Sequence, residues 1–188
     1  MTDFAAPSLR LSFGEFVAFL DTRPDDEKWE LVEGRPVLSP SPVFRHQVLV
    51  GNIILELGSV MRARRSSWAV VPGIGVKVDE FNAPVPDVMV RPLDSLEGSF
   101  CDDILVAFEV LSPGTASRDR KWKRQVYSAL PSLQHYVVVS PSSIEVSHFS
   151  RSDGFAGSIL KDLSTTVELS ALGVALPLAS LYRDTDLA

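Results

Sequence analysis

One cysteine, Cys101, stands in 188 residues. No disulfide can close within the chain, and a reducing, cytoplasmic setting is the expectation. No apolar run reaches the roughly 18 residues of a membrane span. The first ten residues, MTDFAAPSLR, lack a basic start followed by an apolar core, so no signal peptide is read. There are three histidines, His46, His135 and His148, scattered along the chain, and Cys101 has no CxxC partner. That pattern suggests neither a zinc cluster nor a cysteine nucleophile. The G-x-S-x-G of a hydrolase elbow is missing, as are the glycine-rich phosphate loops G-x-x-x-x-G-K-[ST] and G-x-G-x-x-G. Gly73-Ile74-Gly75 reads as a turn. A net charge of −6 argues against indiscriminate coating of nucleic acid, but it leaves room for a local basic surface. The 45% hydrophobic and 22% charged content is that of an ordinary globular protein. With no repeat or linker in view, residues 1–188 are expected to form one domain.

What is present centres on Ile104 to Tyr127. Ile104 to Phe108 is an apolar, β-branched run that reads as a buried strand. Glu109 interrupts it, Val110 and Leu111 resume it, and Ser112-Pro113-Gly114-Thr115 breaks it. Arg118 to Ala129 then has helical character and carries Arg118, Arg120, Lys121, Lys123 and Arg124. Upstream, Ser12 with Glu15 caps an amphipathic helix that starts at Phe13. Trp29–Val32 and Arg35–Leu38 flank Glu33-Gly34 as a hairpin. Apolar spacing from Arg45 to Met61 predicts a long helix. Strands are expected over Trp68–Val71, Ile74–Val78 and Pro86–Val90. Downstream, they are expected over Tyr136–Val139, Ile144–Phe149 and Phe155–Leu160. The tail from Val167 to Tyr182 reads as a short strand and a terminal helix.

The chemistry left over lies in acids on apolar strands with basic residues nearby. Asp87 opens a short strand, where capping a loop amide is the plainer explanation. Glu109 is harder to dismiss, because a charge inside a buried strand needs a cation or an ion-pair partner. Arginine pairing would also satisfy it. Two carboxylates with a main-chain carbonyl would suit Mg²⁺.

Pro86-Asp87, then Phe108-Glu109-Val110-Leu111-Ser112-Pro113, then Arg118-Asp119-Arg120 with Lys123 and Tyr127, follow one another in an order and spacing that resembles the Uma-two family. That family sits within the PD-(D/E)XK nuclease superfamily. Trp29-Glu30-Leu31-Val32-Glu33-Gly34, His46 and Tyr136–Val139 add to the resemblance, which spans about residues 13–182. It implies an α/β (α+β), restriction-endonuclease-like core: a central mixed sheet flanked by helices, with an amino-terminal helix and hairpin. One departure stands out. The lysine of (D/E)XK would fall at position 111, which is Leu111, and the resemblance offers Lys123 from the next helix instead. Lys123 and Tyr127 lie four apart on one helical face, while Lys121 faces elsewhere. The alternative for Lys123 is that it is one of several solvated basic residues on a helix face.

The resemblance further implies an endonuclease that hydrolyses phosphodiester bonds in nucleic acid, DNA first, with Mg²⁺ or Mn²⁺. Asp87, Glu109 and the Val110 carbonyl would be the metal ligands, and Lys123 would be catalytic. Glu30 or Glu33 could add an acid, though both also read as exposed hairpin charges. His46 could contact phosphate or cap its helix, and Tyr127 could orient Lys123. Arg118, Arg120, Lys121 and Arg124 suit phosphate positioning. The alternative is an inactive nuclease fold that binds nucleic acid or protein. A homodimer is expected, since cutting both strands of a duplex takes two sites and two-fold pairs are the commonest assembly. Lys123→Ala is expected to slow cleavage while leaving metal affinity nearly unchanged.

Overall fold

The apolar runs in the middle of the chain become neighbouring strands of one sheet. The computed structural model describes residues 10–93, 97–112 and 119–188. The strands are β1 (Trp29–Val32), β2 (Arg35–Leu38), β3 (Trp68–Pro72), β4 (Gly75–Val76), β5 (Val88–Pro92) and β6 (Phe100–Cys101). They continue as β7 (Val106–Val110), β8 (His135–Val139), β9 (Val146–Ser150), β10 (Ser158–Leu160), β11 (Thr166–Leu169) and β12 (Val174–Pro177). The α-helices are α1 (Phe13–Leu20), α2 (Phe44–Ala63), α3 (Arg124–Ser128) and α4 (Leu178–Leu181). The central sheet has the order β10-β9-β8-β7-β5-β3. Only the β7–β8 pair is parallel, so the sheet is mixed, as expected, and helices flank it. None of the described helices is long and apolar enough to cross a membrane.

Strand alternation sorts the core. On one face, Val88, Val90, Val106, Phe108, Val110, Val137 and Val139 pack with Leu49, Ile53 and Leu57 of α2 and with the β11–β12 hairpin. On the other, Met89, Ala107, Leu111, Tyr136 and Val138 pack with Tyr127, Leu130 and Leu133. Both faces of β7 and β8 are covered, which is why these strands read as apolar at successive positions, apart from Glu109 in β7 and His135 at the start of β8. Each such aliphatic side chain contributes about 1.5–3 kcal/mol by leaving water. A smaller cluster of Phe16, Leu31 and Ala83 fastens α1 to the β1–β2 hairpin. The Ser12 capping box that starts α1 is formed, with Ser12 N–H donating to Glu15 Oε2 at 2.8 Å. Glu33 and Gly34 turn the hairpin at φ 50° and 80°. Positive φ at both central residues suits the right-handed twist of the strands they join.

Several elements differ from the sequence expectation. The strand expected over Ile74–Val78 shrinks to β4, which pairs in parallel with the equally short β6. The one expected over Phe155–Leu160 shrinks to β10, because Phe155 and Gly157 take φ values of 58° and 86° that no strand tolerates. The tail holds two strands, β11 and β12, where one was expected, and then the expected helix, α4. The helix expected over Arg118–Ala129 is a π turn, Asp119–Lys123, that passes into α3. Arg118 lies outside the described residues.

Candidate active site

Asp87 immediately precedes β5, and its placement follows from the strap that leads into it. Ala83 pairs with Leu31 of the hairpin through bonds of 2.9 and 3.1 Å, and Val85 N–H donates to Glu30 Oε1 at 2.9 Å. Asp87 N–H then donates to the Phe108 carbonyl at 3.1 Å. Its Oδ2 accepts the Val110 amide at 2.8 Å, so the two bonds straddle Glu109 on the neighbouring strand. His46 Nε2 lies 3.2 Å from the same Oδ2, and Lys28 Nζ lies 3.2 Å from Oδ1. Burial alone would push the Asp87 carboxyl up. The hydrogen bond to His46, the Lys28 charge and the Val110 amide outweigh it and hold the group well below the usual carboxylate range.

Glu109 is 3% exposed. Its Oε1 accepts from Lys123 Nζ at 2.8 Å and from the Tyr127 hydroxyl at 3.3 Å. Lys123, also 3% exposed, reaches Glu30 Oε1 at 2.7 Å as well. One buried ammonium thus joins a carboxylate of the hairpin to one of the central sheet. Burial, and after it the Glu109 charge, raises the Tyr127 hydroxyl well above its ordinary value, so it stays a neutral donor. Strand alternation puts Glu109 on the same face as Ala107 and Leu111. Leu111 is packed among apolar neighbours, so the ammonium on this face comes from the helix above.

Asp87, Glu109, Val110, His46, Lys123 and Lys28 all line one cleft of about 310 Å³, and residues 39–42 line it too. Glu30 stands behind Lys123, fully buried, where the sequence had also admitted an exposed hairpin charge. Glu33 is not brought here. It is exposed at the hairpin turn, beside Arg10, Arg35 and Asn82. Lys121 and Arg124 are exposed on the outer side of the π turn and α3, and Arg124 lies over the Phe149 ring at 5.1 Å. The side chain of Arg120, like Arg118, lies outside the described residues. Lys28 went unnoticed in the sequence, submerged in a charged connection. Its signal was the period-two alternation of Lys28-Trp29-Glu30-Leu31, which puts Lys28 and Glu30 on one side and Trp29 and Leu31 against α1.

His135 and His148, scattered in sequence, meet across β8 and β9 with Nδ1 and Nε2 3.0 Å apart. His135 Nε2 accepts the Ala171 amide at 3.3 Å. Among the described residues, no three His, Cys, Asp or Glu side chains gather in a metal-holding group. The cleft instead brings together the carboxylates of Asp87 and Glu109, beside Val110. That set fits Mg²⁺, which commonly takes one or two protein carboxylates and completes its shell with water and substrate phosphate.

Residues 13–179 match the model of the Uma2 family, described as "Putative restriction endonuclease". The chain belongs to the Uma2 family. It is 33% identical over 109 residues to the uncharacterized protein slr1290 of Synechocystis, a match that covers 56% of this chain and 57% of that one. A crystal structure of a DUF820 protein from Anabaena variabilis, described as a putative nuclease, superposes with a TM-score of 0.71 at 16% identity. The superposition covers 87% of this chain and 94% of that one, and it establishes a shared fold.

Proposed function

We propose that this Uma2 protein is a metal-dependent endonuclease that hydrolyses phosphodiester bonds in nucleic acid, DNA in the first place. The observation that carries the reading is the arrangement around one cleft: Asp87 at the entry to β5 and Glu109 on the adjoining β7, with the buried Lys123 ammonium on Glu109. Family membership and the nuclease description of its structural neighbour support it. A Mg²⁺ or Mn²⁺ ion held by Asp87, Glu109 and the Val110 carbonyl would lower the pKa of water and neutralise charge on the phosphate.

The chain's own residues do the remaining work. The Val110 amide and His46 fix Asp87 Oδ2 in place. Glu30 and Glu109 hold the Lys123 ammonium at the cleft wall, where it can stabilise negative charge that develops on a phosphoryl oxygen. Tyr127 orients Glu109 as a neutral donor. Lys121 and Arg124, exposed on the adjoining helix, suit phosphate contacts that position the strand. A homodimer working in the cytoplasm would bring the two sites that cutting both strands requires.

The test pairs a Mn²⁺ titration with a cleavage assay on duplex and single-stranded DNA and on RNA, using the parent, Asp87→Asn and Glu109→Gln. Both variants should lose metal binding and cleavage together. Metal binding by Asp87→Asn equal to that of the parent would overturn the assignment. Metal binding by the parent without cleavage of any substrate would favour the alternative of a binding module.

A further inference from the structure

The three partners of the Asp87 carboxylate differ in how readily they can leave. Oδ2 is held by the Val110 amide, which is part of β7, and by His46, which is 8% exposed within α2. Neither can withdraw without moving an element of the core. Oδ1 is held by Lys28, whose side chain is 37% exposed. The Lys28 backbone is pinned where β1 begins, its carbonyl accepting the Ser39 amide at 2.8 Å. Only the flexible stem and ammonium are therefore free to swing. The Asp87 side chain is just 12% exposed, and a carboxylate that desolvated requires a cation close by.

We propose that Lys28 is a displaceable stand-in for the metal: its ammonium neutralises Asp87 through Oδ1 in the metal-free protein. A divalent cation arriving at Oδ1 releases that ammonium into the cleft, where it takes a phosphate oxygen of the substrate. The inference rests on the reading of Asp87 as a metal ligand. Its geometry gives each oxygen one duty. Oδ2 keeps the carboxylate aimed through groups that never leave, and Oδ1 exchanges one positive charge for another. Lys28 already lines the cleft together with Glu109 and Lys123, so the released ammonium has the substrate's phosphate within its reach.

Three measurements on the full chain test this, comparing the parent with Lys28→Met and with Lys161→Met. Lys161 pairs with Glu145 and is 67% exposed. Its loss changes net charge by the same amount without touching the cleft. Lys28→Met should bind Mn²⁺ about twofold to fivefold more tightly than the parent, the range of one partly exposed ion pair. Lys161→Met should match the parent. Lys28→Met should also melt earlier without metal and gain more in melting temperature on adding Mn²⁺, since the ion then supplies the missing cation. With Mn²⁺ bound, thymidine 5′-phosphate should bind Lys28→Met several-fold more weakly than the parent. Mn²⁺ affinity equal to or weaker than the parent's overturns the stand-in role, and equal nucleotide affinity overturns the phosphate role. If neither the parent nor Lys28→Met binds Mn²⁺, the metal reading of Asp87 falls and this inference falls with it.

Discussion

Lys123 was expected to substitute for the lysine missing at position 111, and its surroundings change what its removal would do. The ammonium is shared between Glu30 at 2.7 Å and Glu109 at 2.8 Å, with all three groups buried. Taking one partner out of a buried ionic cluster leaves the others uncompensated, which typically costs about 3–5 kcal/mol. Lys123→Ala should therefore lower stability sharply, and lost cleavage in that variant would report unfolding as much as chemistry. The expectation of unchanged metal affinity changes too, because Glu109 would lose the cation that now holds its Oε1. A double-mutant cycle separates these effects. Lys123→Met should be far less damaging when Glu30→Gln has removed one of the two stranded charges, with a coupling of roughly 1–3 kcal/mol in urea unfolding. Additive losses would show that Glu30 and Lys123 do not act as a unit.

At the level of elements, the hairpin that carries Lys28 and Glu30 is held by aromatic packing around Phe100. The Phe100 ring meets Phe13 edge-on at 5.1 Å and Phe16 at 6.2 Å, and Phe16 packs with Leu31 of β1. Gly75 makes this possible, since a Cβ there would lie 2.3 Å from two carbons of the Phe100 ring. Gly75→Ala should displace that ring and cost about 1–3 kcal/mol. Gly14→Ala, with nothing within 4 Å of its Cβ, should be neutral or mildly stabilising in α1. Thermal melts of the two variants check the contrast, and equal melting temperatures would count against it. Elements set by periodicity were legible in the sequence: the capped α1, the β1–β2 hairpin, the length of α2, and the buried β7 and β8. The π turn before α3 was not, because hydrogen bonds five residues apart leave no distinct mark on apolar spacing. Two-residue strands such as β4 and β6 depend on what lies beside them, and β10 was cut short by backbone angles at Phe155 and Gly157. In the cleft, Asp87 and Glu109 stood out because each charge adjoins an apolar run. Lys28 did not stand out. The full burial of Glu30 depends on the strap before β5 folding over the hairpin, where Val85 meets Glu30 across 55 positions of the chain.

Across the whole molecule, the sheet is tied to its carboxyl-terminal hairpin partly through His135, and that tie depends on pH. His135 on β8 is 2% exposed. Its Nε2 accepts the Ala171 amide between β11 and β12 and lies 3.4 Å from the Ser170 hydroxyl. Accepting at Nε2 places the ring proton on Nδ1, which then donates to His148 Nε2 at 3.0 Å. A second proton on His135 would set two donors against each other at Ala171. Burial, and after it the neighbouring His148, pushes the His135 imidazole down from 6.5 to about 4, with Asp153 opposing the shift. Burial also lowers His148, against the opposing charges of Asp153 and Glu168. Both folded-state values lie below the unfolded one, so between about pH 6.5 and 4 the unfolded chain binds more protons. Stability therefore rises with pH across that window and is fully present above it, with a slope of at most about 1.4 kcal/mol per pH unit for each proton. Asp87, held below the usual carboxylate range, adds a separate loss at more acid pH, beneath its ordinary value of 3.8. Urea unfolding between pH 7 and 5 isolates the histidine window from that loss. The parent should weaken steadily as pH falls, and His135→Gln, which cannot take up a proton, should show a flatter profile despite a lower stability at pH 7. An undiminished slope in His135→Gln would show that the pH dependence arises elsewhere in the chain.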